Sequence, residues 1–179
     1  GRTAKEFDVL LTVHGPYYVN LSGKKNIVAA SIKRLVQSMK AAEWMGAHQV
    51  VFHPGYYGNL LHEAALEMCI EAMNEIVSRC EKLGIKGVKL GPETSGKPTQ
   101  VGSLEEIMAM CQEVGRTAPT VDWAHVHARG NGKIRSKDDY YKIIESIEKS
   151  LGSAVVKSLH THFSHIEFTA KGERRHHTM

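Results

Sequence analysis

Five short apolar runs constrain this chain more than any other feature, because each stops on a side chain able to bind a metal. Val9-Leu10-Leu11-Thr12-Val13 stops on His14, and His48-Gln49-Val50-Val51-Phe52 stops on His53. Gly87-Val88-Lys89-Leu90 runs through Gly91-Pro92 to Glu93; Pro119-Thr120-Val121 stops on Asp122, and Val155-Val156-Lys157-Ser158-Leu159 on His160. Runs this short, rich in β-branched residues and closed by turn formers, read as buried parallel strands. Parallel strands finish at one edge of their sheet, so five ligand-type groups from distant sequence positions are expected to meet there.

The five ligands are separated by 39, 40, 29 and 38 residues, room for one strand, one helix and two loops each time. Val28, Ile32, Leu35, Val36 and Met39 lay one apolar stripe along a helix over about 26–44, which Gly46 ends. Leu61, Ala65, Met68, Cys69, Ala72, Ile76 and Cys80 do the same over about 59–83, up to Gly84. Ser103 with Glu106 forms a capping box for a third helix. Ser136 caps a fourth that turns Tyr140, Ile143, Ile144, Ile147 and Leu151 inward and closes at Gly152. Residues 125–133 read as a polar loop, and everything after His160 as an unpatterned polar tail.

A succession of βα units with no linker is expected to be one domain over 1–179. Ligands on all five strands favour a ring of strands over an open doubly wound sheet. The expected fold class is therefore α/β, a TIM barrel that is incomplete in this chain, with about five βα units where a whole barrel has eight in about 250 residues.

Composition narrows function little. At 179 residues and 42% hydrophobic the chain suits one core, and a net charge of +4 is a weak tilt toward polyanions. Cys69, Cys80 and Cys111 all fall on predicted helices without a framework spacing, so they read as reduced packing residues. With no signal peptide or long apolar span, a cytoplasmic monomer without membrane association is the expectation.

Histidine combined with carboxylate suits zinc or another divalent first-row metal. Asp122 and His125, three apart, are placed to serve adjacent ions. His160 and His162 share one side of an extended segment, so they either bind together or one supports the other.

The segments Val13-His14-Gly15-Pro16-Tyr17-Tyr18-Val19-Asn20-Leu21, Val51-Phe52-His53-Pro54-Gly55, Pro92-Glu93-Thr94-Ser95-Gly96, Val121-Asp122-Trp123-Ala124-His125 and Ser158-Leu159-His160 resemble, in that order and at those intervals, the endonuclease IV family. These are the apurinic/apyrimidinic endonucleases of family 2, within the xylose isomerase-like TIM barrels. The resemblance implies the central part of such a barrel with up to three zinc ions. His14 and His53 would hold the first, and Glu93, also the catalytic residue, would bridge the first and second. Asp122 with His160 would hold the second; His125, Glu173 and His176 the third.

The reaction so implied is hydrolysis of the phosphodiester 5′ to abasic sites in double-stranded DNA, as in base excision repair, by a metal-bridging hydroxide. Ions ~3.5–4 Å apart stabilise both the attacking and the departing oxygen of such a displacement. Tyr17, Tyr18, Asn20, Arg129, Lys133 and Arg174 would contact DNA, the tyrosines by wedging beside an extrahelical nucleotide and the cations by pairing with phosphates. The chain departs from the family's pattern at Thr94, commonly Asn there, at Trp123-Ala124, which replaces a Thr-Cys pair, and at Glu173-Arg174-Arg175-His176, which replaces Asp-x-His. The family's last bridging glutamate lies on a strand beyond Met179, so an incomplete second metal site is expected. Two other functions fit the same barrel: a metal-dependent sugar isomerase or epimerase, which uses one metal flanked by two carboxylates, and a catalytically degenerate homologue.

Overall fold

The computed structural model describes residues 1–179. Its elements run α1 (Arg2–Glu6), β1 (Thr12–His14), α2 (Lys25–Met45), β2 (Gln49–Phe52), β3 (Gly55–Tyr56), α3 (His62–Lys82), β4 (Lys89–Pro92) and β5 (Gln100–Val101). There follow α4 (Leu104–Glu113), β6 (Thr120–Asp122), α5 (Trp123–Arg129), α6 (Lys137–Leu151), α7 (Ser153–Lys157), β7 (His160–His162), β8 (His165–Thr169) and β9 (Gly172–His177).

Strands β1, β2 and β4 pair in parallel, as do β6 and β7, and single parallel bridges at Leu90–Thr117 and Glu93–Thr120 join the two pieces. The strands therefore follow one another around an arc as β1-β2-β4-β6-β7, five staves of an α/β barrel in chain order. Val50, Phe52 and Leu90 turn toward the helices, joining Leu35, Met39, Met73, Ile76 and Ile107 in a core of 23 buried residues. Val121 enters a second cluster of six with Met108, Trp123, Ile134, Ile143 and Ile147. Side chains alternate along a strand, so His14, Gln49, His53, Glu93, Asp122 and His162 face the concave side. There Gln49 Nε2 donates to Thr120 Oγ1 at 2.8 Å across the arc.

The long helices follow their stripes. In α2, Ile32, Leu35 and Met39 are buried, and Gly46 in the left-handed region (φ 71) closes it. Helix α4 begins with the expected capping box of Ser103 and Glu106, and α6 with one formed by Ser136 and Asp139. No helix is long and apolar enough to cross a membrane.

Several local expectations are corrected. The apolar run from Val155 is not a strand: residues 153–157 form α7, and Val155, Val156 and Leu159 pack on the second cluster at helical spacing. The last strand of the arc starts at His160 instead of ending there. Strand β1 starts at Thr12, leaving Val9 and Leu10 exposed. The expected loop over 125–133 is helical as far as Arg129, within α5, because the Asp122 carboxylate accepts the His125 N–H at 2.9 Å and so caps that helix. Finally, the tail is an antiparallel hairpin, β8 on β9, with a bulge between Glu167 and Phe168.

Candidate metal centre

Glu93 leaves β4 at the upper edge of the arc and is 1% exposed. A carboxylate buried that deeply needs partners, and it has imidazoles on every side. Its Oε2 lies 3.1 Å from His14 Nε2 and 3.5 Å from His53 Nε2, and its Oε1 lies 2.7 Å from His162 Nδ1 and 3.9 Å from His125 Nδ1. Burial alone would push its carboxyl up. Hydrogen bonds from His14 and His162, with the charges of His53 and His162, outweigh that and hold it well below the ordinary 4.5. The hydrogen bond to Glu93 in turn raises both His14 and His162 above 6.5 against their burial, whereas burial lowers His53.

The second carboxylate, Asp122, sits at the foot of α5, with its Oδ2 3.6 Å from His125 Nδ1. His125 Nδ1 donates to the Thr94 carbonyl at 2.8 Å, so its lone pair is on Nε2. That nitrogen faces His176 Nε2 at 3.0 Å and Glu173 Oε2 at 3.5 Å, both on β9. The Ser164 hydroxyl holds His176 Nδ1 at 2.7 Å. Likewise His14 Nδ1 donates to the Gly15 carbonyl at 2.9 Å, which aims Nε2 at Glu93.

Three groups offer donor atoms within 4.8 Å of one another: His14, His53 and Glu93; Glu93, Asp122 and His162; Asp122, His125 and His176. Two ligands on a tetrahedral ion with bonds of ~2.0–2.1 Å stand about 3.3 Å apart. The nitrogen–oxygen separations of 3.1 and 3.5 Å at Glu93 Oε2 fit that edge. So does the donor chemistry, imidazoles around two carboxylates, each of which belongs to two of the groups.

The structure brings together His14, His53, Glu93, Asp122, His125 and His176, with Glu173 beside them. It does not bring His160 in. His162, level with Asp122 across β6 and β7, occupies the place against Glu93, because the strand begins at residue 160. His160 pairs with Thr120 one step below and meets His162 Nε2 at 3.2 Å. Its period-two relation to His162 was the available signal.

The expected DNA contacts divide. Tyr17 and Tyr18 stand out from the rim, 65% and 78% exposed, and Lys133 is exposed. Arg174 is paired with Glu167 on the hairpin. Asn20 is turned into its own loop, where its Oδ1 accepts from Ser22 and from the Tyr56 N–H. Arg129 is turned inward as well, onto the Lys97 and Gln100 carbonyls. Thr94, which stands where the resemblance led to Asn, stitches the strand ends: its hydroxyl accepts from the Asp122 N–H at 2.9 Å and donates to the Asp122 carbonyl at 3.3 Å.

The family model for the xylose isomerase-like TIM barrel matches residues 1–179. An uncharacterised protein of Methanocaldococcus jannaschii is 36% identical over 94% of this chain and 61% of its own length. A probable endonuclease 4 of Staphylococcus carnosus is 28% identical over 92% of this chain and 55% of its own length. The chain thus spans little more than half the length of these relatives. Among solved structures, endonuclease IV from Thermus thermophilus superposes on 84% of the chain and 53% of its own, with a TM-score of 0.61 at 19% identity. A D-tagatose 3-epimerase-like protein superposes on 83% of the chain and 55% of its own, with a TM-score of 0.64, also at 19% identity. Likeness at that identity speaks to fold alone.

Proposed function

Because this chain belongs to the xylose isomerase-like TIM barrel family, in which relatives named for both nuclease and epimerase share the fold, we propose from its own side chains that it is the metal-binding part of an abasic-site endonuclease. One observation carries the reading: the buried Glu93 is surrounded by four imidazoles, three from different strand ends and His125 from α5, with His176 and Glu173 added by the hairpin. A single-metal sugar enzyme has no use for so many histidines.

His14, His53 and Glu93 would hold one ion, Glu93, Asp122 and His162 a second, and His125, His176, Asp122 and Glu173 a third. Zinc fits these donors. When bound, such ions supply Lewis acidity, lowering the pKa of water and neutralising charge on a phosphodiester. The chain's own groups do the rest. Glu93, kept ionised, holds its two ends at fixed separation, and Thr94 fixes Asp122 and orients His125 through its carbonyl. The exposed tyrosines would meet a duplex lying over the rim, and the exposed Lys133 would pair with a backbone phosphate.

The test is incubation with duplex DNA carrying one abasic site, with and without chelator. Incision 5′ to the lesion that leaves an extendable 3′-hydroxyl and disappears on chelation is the expected result; an intact duplex with the zinc-loaded protein would remove the reading. The sugar epimerase remains a second reading on one observation, that Glu93, Asp122 and His162 alone suit a single ion between two carboxylates. A content of one metal per chain favours it, and two or three favour the nuclease.

A further inference from the structure

Arg129 reads from the sequence as a phosphate contact, and its surroundings say otherwise. Its side chain is 17% exposed. Nη1 donates to the carbonyls of Lys97 at 2.6 Å, Gln100 at 2.9 Å and Ser95 at 3.4 Å, and Nη2 donates to the Tyr57 hydroxyl at 3.0 Å. That hydroxyl donates to Glu106 at 2.7 Å, and Glu106 also accepts the N–H groups of Gly102 and Ser103, both at 2.8 Å. The guanidinium thus ends a closed chain that runs from α5 through Tyr57 to the cap of α4.

What the clamped loop carries gives the arrangement its point. Ser95 Oγ lies 3.4 Å from His53 Nδ1. The Gly96 carbonyl accepts the Glu173 N–H at 3.0 Å, and a side chain on Gly96 would stand 2.7 Å from Glu173 Cβ and 3.0 Å from His125 Cδ2. His125 is one turn before Arg129 on α5, on the same face of the helix. One side chain therefore ties the helix that presents His125 to the loop that braces His53 and seats Glu173.

We propose that Arg129 is a positioning residue of the metal centre, holding loop 95–100 against α5 so that His53, His125 and Glu173 stay at ligating distance, and is not a phosphate contact. The proposal rests on reading the cluster as a metal centre. The requirement is for the planar fork, since a lysine ammonium is a point charge that does not span three carbonyls and a hydroxyl.

Zinc affinity, by competition with a chromophoric chelator, and the salt dependence of duplex binding by the chelated protein are to be measured for the full chain and for Arg129→Lys, Arg129→Gln, Tyr57→Phe and Lys133→Ala. Supporting groups around metal ligands typically contribute 10–100-fold in affinity. Both Arg129 variants are expected to lose about that much for zinc and to keep the salt slope, and Tyr57→Phe to lose less in the same direction. Lys133→Ala is expected to keep zinc affinity and to flatten the slope by about one unit. Unchanged zinc affinity in folded Arg129→Lys overturns the proposal whatever its slope. If circular dichroism shows both Arg129 variants unfolded, Tyr57→Phe decides: weakened zinc binding supports the proposal and wild-type binding overturns it. A wild-type chain that binds no zinc defeats the metal-centre reading itself, and this proposal with it. Zinc binding without DNA incision defeats only the nuclease.

Discussion

The two sides of the centre are built from different material. His14, His53 and Glu93 extend from strands packed on the cluster of 23 buried residues, and their positions follow once that core forms. Asp122, His125 and His162 extend from β6, α5 and β7, over a cluster of six. Glu173 and His176 come from a hairpin in which Gly172 is the one buried residue. Hydrophobic burial near 25 cal/mol per Å² is what fixes the first side. The second depends on the polar contacts themselves, the Glu173–Gly96 and His125–His176 bonds, with the edge contact of Phe168 on His127 at 5.0 Å. The candidate ligands are therefore placed by the hydrophobic core on one side and by polar contacts on the other.

Removing the group that both sides share should break this contrast most severely. Glu93→Gln keeps the volume and discards the charge that four imidazoles surround. Metal catalysis supplies several kcal/mol to such reactions, so incision should fall by on the order of 10³-fold. Elemental analysis should show metal lost from both neighbouring groups. Full metal content in this variant would mean that Glu93 does not join them.

Hydrogen exchange distinguishes the two sides. Saturating zinc should protect amides of β8 and β9 strongly, by up to about 2.7 kcal/mol at a hundred times the dissociation constant, and should leave β2 and α3 almost unchanged. Equal gains in both regions, or none in the hairpin, would remove the distinction.

The legibility of the two sides follows the same line. The stripes of α2 and α3, the ends of β2 and β4 and the capping box at Ser103 were readable because apolar periodicity and local capping decide them. His53 and Glu93 were placed on the strength of that pattern. The misplaced features are where tertiary packing overrides composition. Val155 and Val156 read as strand by their branching, yet pack as a helical turn, and the shift sets His162 instead of His160 against Glu93. His165-Ile166-Glu167-Phe168-Thr169 does alternate, with Ile166 and Phe168 on one face, but five residues are a short signal and the partner strand, Glu173-Arg174-Arg175-His176-His177, is polar throughout and offers none. Arg129 looked like surface because a sequence does not show that three carbonyls and a phenol await its guanidinium.

The smallest effect is that of pH on the metal-free protein. Glu93 is held below 4.5, so its contribution to stability is complete above that value and is lost as pH falls through its depressed folded value. His14 and His162 are raised above 6.5, so theirs is complete below 6.5 and is lost as pH rises through their raised values. The chelated chain should accordingly melt highest between about 4.5 and 6.5 as far as this cluster governs it. Zinc must displace the same protons, so its affinity should climb with pH above 6.5. Melting curves and calorimetric proton release in buffers of different ionisation enthalpy check both slopes, and a zinc affinity flat in pH would contradict the protonated His14–Glu93–His162 arrangement.

Anomalous scattering at the zinc edge from crystals of the loaded protein would locate any ions at Glu93 outright. One peak is expected about 2.0–2.2 Å from His14, His53 and Glu93 and another at that distance from Glu93, Asp122 and His162, with Glu93 between them. A map with no peak at Glu93, or with ions elsewhere on the surface, would contradict it.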